Sequence, residues 1–464
     1  MKLSPCALIQ TLAFILPVQS AITLDTTSSD SIKSAASTAA WGMVQYYTGN
    51  NTGDVPGNLP SPYYWWEAGA FFNALIDYWH YTGDTTYNTI TSAGIQHQVG
   101  ADANFMPANQ SKSLGNDDQG FWALTAMSAA ESNFPNPDSS SPQWLALAQA
   151  VFNTQAPRWD ASTCGGGLRW QIFTFNSGYD YKNSISNGAF FNLAARLGRY
   201  TGNQTYLDWA EKTWDWISTV GLMDQYRVYD GSDDTLNCTE VDHIQWTYNS
   251  GIYLYGAAMM WNVSAANAES NATDEATATT TKWQTRVNGI LNNTSVFFPD
   301  DQKIMSEVAC EANGKCDVDQ KSFKAHFSRW LAATAKVAPF TKATILELLS
   351  ASATAAAKTC TAGTDQNQCG LQWTTGTNDG SMGVGEQMAA LEVFQGLLVD
   401  SASGPVTNST GGTSVGNNAA GSGTDDSATK YDTIDNGDKA GAAILTIIVL
   451  LTLFGGAGWI VMSD

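Results

Sequence analysis

Apolar residues recur with a helical period along most of the chain, and two stretches repeat each other closely. Ala70-Phe71-Phe72-Asn73 leads to Tyr81-Thr82-Gly83 and then Tyr87; Ala189-Phe190-Phe191-Asn192 leads, at the same spacing, to Tyr200-Thr201-Gly202 and Tyr206. A register held over that length marks one supersecondary unit used twice. Each copy predicts an apolar helix of about four turns, a stop at a Thr-Gly pair, and the start of a second helix. Segments 119–130, 250–260, 323–335 and 385–398 share the small, aromatic, charge-poor character of the repeated helices, as expected of helices buried on most sides. Between them lie amphipathic stretches at 31–47, 85–98, 142–154, 205–219, 274–291 and 340–356. Six buried helices thus alternate with six outer ones. Strand signals are weak, because alternating runs are few and are not spaced as in a sandwich or barrel of strands. The pattern predicts an all-α fold, an (α/α)6 barrel (six-hairpin toroid), in which the inner helices start around one mouth. An open solenoid would require more uniform repeats.

The two ends do not fit that pattern. Residues 1–20 open with Lys2, run apolar from Ala7 to Val18 and reach small residues at Ser20 and Ala21, the plan of a cleavable signal peptide. Residues 401–439, rich in Gly, Ser, Thr, Asn and Asp, read as a flexible stalk. Residues 440–464 are a hydrophobic tail: the apolar run 440–461 is long enough to cross a bilayer, yet only Met462-Ser463-Asp464 follows it and no basic cluster flanks it. Small residues, a polar spacer and a terminal apolar tail form a signal for a GPI anchor, with Ser427 suited as the attachment residue and Asn436 and Gly421 to Gly423 as alternatives. The expected placement is therefore secreted and GPI-anchored at the outer face of the plasma membrane or in the cell wall, with residues 21–400 as the folded domain. Six cysteines remain after the leader, an even number that points to three disulfides. Their pairing stays open; Cys310 with Cys316 and Cys360 with Cys369 would close short loops and leave Cys164 for Cys238.

A net charge of −21 excludes nucleic acid as a natural partner. With only 14% charged residues but 17 Trp and 17 Tyr, the chain instead suits neutral sugars, whose ring faces stack on aromatic planes while Asp, Asn and Gln bond the hydroxyls. No cysteine or histidine spacing resembles a metal site, and no cofactor follows from the sequence. The acid-rich run 230–242 lacks the ligand spacing of a calcium loop and reads as a solvated loop.

The chemistry-bearing residues fall at the predicted starts of inner helices. They are Tyr63-Tyr64-Trp65-Trp66-Glu67, Asn116-Asp117-Asp118-Gln119, Lys182-Asn183-Ser184-Ile185-Ser186-Asn187-Gly188 and Gln245-Trp246-Thr247-Tyr248-Asn249-Ser250-Gly251. A bare Asp-Asp pair is equally what a helix N-terminus prefers. Its convergence with stacking platforms and amide side chains is what suggests glycosyl transfer. Asp379 to Glu386, ahead of the last inner helix, is a further acidic stretch that could reach the cleft.

At Gly115-Asn116-Asp117-Asp118-Gln119-Gly120-Phe121-Trp122, Lys182 to Gly188 and Trp246 to Gly251, the sequence resembles glycoside hydrolase family 76, the α-1,6-mannanases, and most closely its GPI-anchored fungal cell-wall branch. The resemblance implies the same (α/α)6 fold. It also implies a retaining reaction with Asp117 as nucleophile and Asp118 as general acid/base, the former ionised and the latter protonated. Trp65, Trp66, Asn116, Trp122, Lys182, Asn183, Asn187, Trp246, Tyr248 and Asn249 would contact the sugar. The implied donor is a mannose-containing glycan, mannan or the mannose core of GPI glycoproteins, and the implied acceptor is β-glucan. Two departures stand out: Asn249-Ser250-Gly251 replaces the Asn-Gln-Gly of many bacterial members, and Phe121-Trp122 replaces paired tryptophans.

Overall fold

The computed structural model describes residues 22–110, 113–422 and 436–462. Twelve helices build the barrel: α1 (Ser29–Val44), α2 (Trp65–Thr82), α3 (Asn88–His97), α4 (Asn116–Glu131), α5 (Trp144–Gln155), α6 (Ser184–Thr201), α7 (Gln204–Thr219), α8 (Thr247–Ser270), α9 (Asp274–Asn293), α10 (Phe323–Val337), α11 (Lys342–Thr359) and α12 (Val384–Gln395). The even-numbered helices contact one another in sequence, and α12 returns to α2, so the inner ring is closed. Outer helices cover it: α5 packs on α4 and α6, α9 on α8, and α1 on α12. This is the expected (α/α)6 toroid.

Local chemistry sets the boundaries. Both members of the repeat end as anticipated, α2 at Gly83 and α6 at Gly202, each in the left-handed conformation that glycine adopts at little cost. Close passage of the inner helices demands small residues: a Cβ on Gly120 would lie 2.8 Å from that of Ala189. Trp122, Trp144, Trp283 and Trp373 are wholly buried in the hydrophobic core. At about 25 cal/mol per Å2 and roughly 150–250 Å2 each, every one contributes about 4–6 kcal/mol of transfer free energy as an upper bound.

Among the described residues five short strands escaped the helical reading: β1 (Tyr181–Asn183), β2 (Met223–Asp224), β3 (Arg227–Val228), β4 (Gly231–Asp233) and β5 (Val241–Asp242). β1, β4 and β5 form an antiparallel sheet beside the mouth, and β2 pairs with β3. The three disulfides join Cys164 to Cys238, Cys310 to Cys316 and Cys360 to Cys369.

The predicted leader 1–20 and Ser427 lie outside the described residues. The start of the supposed stalk needs correction. Residues 401–422 are laid against the barrel: the Val406 N–H donates to Glu131 O, the Leu145 N–H to Ser414 Oγ and the Asn417 N–H to Gln149 Oε1. Its polar residues, which read as a solvated linker, satisfy the exposed polar groups of α5 instead. The apolar tail forms α13 (Asn436–Met462), with exposed side chains from Ile444 to Phe454. The 440–461 run is described at side-chain level only as far as Phe454, and among the described residues no helix is long and apolar enough to cross a membrane.

Candidate active site

The inner helices run parallel, because their first turns converge on one cavity and their last turns on another. The first cavity measures about 500 Å3 and takes Trp65 and Trp66 from α2, Asp117, Asp118 and Phe121 from α4, Ile185 from α6, Tyr248 from α8 and Phe323 from α10. Strand β1 adds Tyr181 and Asn183, and loops add Trp170, Asp230 and Asp319. Its charged members among the described lining residues are all aspartates.

The two adjacent aspartates sit differently although they share a helix turn. Asp118 lies at the third helical position and accepts the Gly115 N–H at 2.6 Å, closing the N-terminus of α4. Asp117 accepts the Asp118 N–H at 3.0 Å and a side-chain hydrogen bond from Asn183, which itself caps α6. Burial raises both carboxyls. Asp118 reaches about 7, with the Gly115 bond pulling it down and the charge of Asp319 pushing it up. Asp117 is held well above the ordinary carboxylate range by burial and then by the charge of Asp118. The order expected from the sequence, an ionised Asp117 beside a protonated Asp118, is thus not that of the free site, because the cap belongs to Asp118. Two neighbouring buried carboxyls whose charges repel retain a proton between them near neutrality.

Aromatic rings form the walls. Trp65 stacks on Trp122 at 5.1 Å, Trp66 lies 4.6 Å from Phe121, and Tyr248 lies flat on Phe323 at 3.7 Å and 8°. Trp170 stands 37% exposed at the edge, and its carbonyl accepts the Asn116 N–H at 2.8 Å, tying that loop to the start of α4.

Of the residues expected to touch sugar, Trp65, Trp66, Asn183 and Tyr248 line the cavity with the aspartates. The others support it. Trp122 is wholly buried beneath Trp65, between Phe72 and Phe105. Asn116 is buried, donating to Arg169 O and accepting from Arg158. Lys182 is fully buried, and its ammonium donates to the carbonyls of Asp160, Thr163 and Gly166 at 2.8–2.9 Å. Asn187 is spent on both backbone groups of Leu168. Trp246 and Asn249 act one step back, both bonding Asp230. Glu386, the last residue of the acidic stretch that leads into α12, is buried and does not line the cavity.

Asp230 corrects the reading of 230–242 as a solvated loop. It is the last residue before β4, lines the cavity and accepts the Tyr181 hydroxyl at 2.9 Å. Asp319 was also missed; its Oδ1 accepts the Trp66 indole N–H at 2.9 Å. Among the described residues no group of three or more His, Cys, Asp or Glu is arranged to hold a metal ion.

A closed six-hairpin barrel with paired carboxyls in an aromatic cavity defines a helical-barrel glycosidase. The sequence profile of glycosyl hydrolase family 76 matches residues 31–409, and the chain belongs to that family. It is 47% identical over 444 residues to the mannan endo-1,6-alpha-mannosidase DCW1 of Saccharomyces cerevisiae, covering 95% of each chain. It is also 47% identical to DFG5 of the same yeast, covering 95% of this chain and 94% of DFG5. Among solved structures, Dfg5 from Chaetomium thermophilum in complex with glucosamine superposes with a TM-score of 0.81 at 42% identity, covering 88% of this chain and 99% of that one. The fold is shared with an inactive variant of the Salegentibacter α-1,6-mannanase, two consecutive aspartates changed to asparagine, in complex with α-1,6-mannotriose; there the TM-score is 0.61 at 15% identity, over 79% of this chain and 99% of that one.

Proposed function

We propose that the chain is a retaining α-1,6-mannosidase and transglycosidase. It takes mannan, or the mannose core of GPI glycoproteins, as donor and passes the mannosyl end to cell-wall β-glucan. The observation that carries this reading is the adjacent pair Asp117–Asp118 in a cavity walled by Trp65, Trp66 and Tyr248. The names of the yeast relatives supply the α-1,6-mannan linkage. The inactive double-aspartate variant of the bacterial mannanase agrees with the pair as the reacting groups.

Asp118, near 7, is protonated in mild acid, as a general acid must be. Its proton passes to the glycosidic oxygen as the C1–O bond breaks and Asp117 bonds C1, giving a covalent mannosyl-enzyme. The pair's one retained proton sits on Asp118 in the reacting state, so Asp117 is the carboxylate, and the positive charge developing at C1 offsets the cost of its burial. Asp118, now a base, removes a proton from the acceptor hydroxyl, which attacks C1 and restores both groups. Water in the acceptor's place gives hydrolysis. With the leader cleaved and the tail exchanged for a GPI lipid, that lipid would hold the enzyme at the outer face of the plasma membrane.

Incubation with an α-1,6-mannoside donor and a β-glucan oligosaccharide acceptor, followed by mass spectrometry, tests transfer. Joined mannose–glucan products are expected; shortened mannosides alone would leave hydrolysis and remove the transfer claim.

A further inference from the structure

Asp319 is placed where its residue type has a ready local use, and it does not take it. It occupies the N-cap of the 3-10 turn Gln320–Ser322 that leads into α10, yet its side chain caps no backbone N–H. The carboxylate turns into the 500 Å3 cavity, where Oδ1 takes the Trp66 indole N–H.

The loop that carries it is held firmly at several points. Cys310 is bonded to Cys316, and Asp317 and Gln320 bond reciprocally through side chain and backbone. Glu311 and Lys324, each almost fully buried, pair at 2.8 Å. Glu307, wholly buried, accepts the Thr247 backbone N–H and hydroxyl at the start of α8. The loop is thereby fixed to α8 and α10, two helices whose first turns form the cavity wall.

We propose that Asp319 is a positioning residue for the glycosidase reaction: it fixes the Trp66 ring against Phe121 and sets a third carboxylate facing Asp118. The proposal rests on the reading of Asp117–Asp118 as the reacting pair. Trp66 is otherwise held by packing alone, 4.6 Å from Phe121 and 5.6 Å from His326. Asp319 is faced by Glu67 from α2, Asp118 from α4 and Tyr248 from α8, and by Asp317 on its own loop. Lys321, the nearest cation in sequence, pairs with Glu386. His326 is kept neutral by burial, so no cation in this set offsets the charge of Asp319. That charge favours the protonated form of Asp118, the form that donates to the leaving oxygen.

Two substitutions separate the parts of the role. Asp319→Asn keeps an acceptor for the indole N–H but removes the charge; Asp319→Ala removes both. With an α-1,6-mannooligosaccharide, Asp319→Asn is expected to leave KM near wild type and to move the basic limb of the kcat profile to lower pH by about half a unit or more. Asp319→Ala is expected to show the same displacement with KM raised roughly tenfold, the loss of one fixed aromatic contact. A basic limb that stays in place in both variants, or an unchanged KM in Asp319→Ala, overturns the proposal. A fall in melting temperature without either kinetic change assigns Asp319 to the fold alone and also overturns it. Asp117→Asn and Asp118→Asn run alongside: full turnover in those would sink the reading of the pair, whereas loss of turnover there with unaffected Asp319 variants would sink only this proposal.

Discussion

Replacing Lys182 with Met separates a buried strut from a sugar contact. The side chain is fully buried, and its ammonium gathers three carbonyls at 2.8–2.9 Å and lies 3.3 Å from Asp160 Oδ2. Methionine fills similar volume but leaves those three carbonyls without the donor. A hydrogen bond to a charged group contributes about 1.5–3 kcal/mol, while the released desolvation of the ammonium offsets part of the sum. Breaking one side of such a buried cluster costs about 3–5 kcal/mol, and Asp160 retains Arg169 at 2.8 Å, so the lower half of that range applies. For a domain of roughly 400 residues, at about 2.1 cal/mol/K per residue, about 3.5 kcal/mol lowers Tm by about 4 °C. Scanning calorimetry measures that shift, and KM for an α-1,6-mannooligosaccharide, taken well below Tm, should stay within about threefold of wild type. An unchanged Tm with a tenfold higher KM would refute this and return Lys182 to the sugar.

Three other outcomes follow from the fold. Changing Cys164 and Cys238 together to Ser removes a link across 74 residues and should cost about 4 kcal/mol in chemical denaturation; a loss below about 1 kcal/mol would contradict the disulfide's place in the folded domain. Stability should fall between pH 5.5 and pH 8.5. Burial raises Glu67 to about 9, Glu307 and Glu392 to about 8 and Asp118 to about 7, so the folded state holds protons that the unfolded chain has released. Their contribution is complete below about pH 4 and is lost as pH climbs through the folded values; a Tm that rises across the window would refute this sign. Ending the chain at Asp400 strips the bonds that 401–422 makes with Glu131, Leu145 and Gln149 and should destabilise the barrel by about 2–4 kcal/mol, whereas a free stalk would leave Tm unchanged.

The barrel was legible because its helices announce themselves twice, through the Ala-Phe-Phe-Asn to Thr-Gly repeat and through charge-poor segments alternating with amphipathic ones. The site was legible at its centre and blurred at its rim, for a physical reason. A polar residue in the first turn of an inner helix serves either a ligand or the backbone, and one step along a helix rotates the side chain by 100°. Asp117 faces the cavity while Asn116, one residue earlier, is consumed by Arg169 and Arg158. Trp65 reaches the cavity and Trp122, stacked beneath it, does not. Periodicity says nothing of loops, so Asp230 and Asp319 carried no signal: Asp230 is submerged in an acidic run, and Asp319 stands where an ordinary helix cap would. The segment 401–422 misled because Gly, Ser, Thr and Asn serve as well for hydrogen-bonding along a helix as for a flexible linker.

The central claim is that Asp117 and Asp118 together cleave α-1,6-mannosidic bonds with retention. Proton NMR of the first products released from an α-1,6-mannooligosaccharide, run on the wild type and on the Asp117→Asn and Asp118→Asn variants, tests it most directly. The account predicts α-configured reducing ends from the wild type and turnover lowered by at least about a hundredfold in each variant. Initial β-products, or variants that keep wild-type turnover, would contradict it.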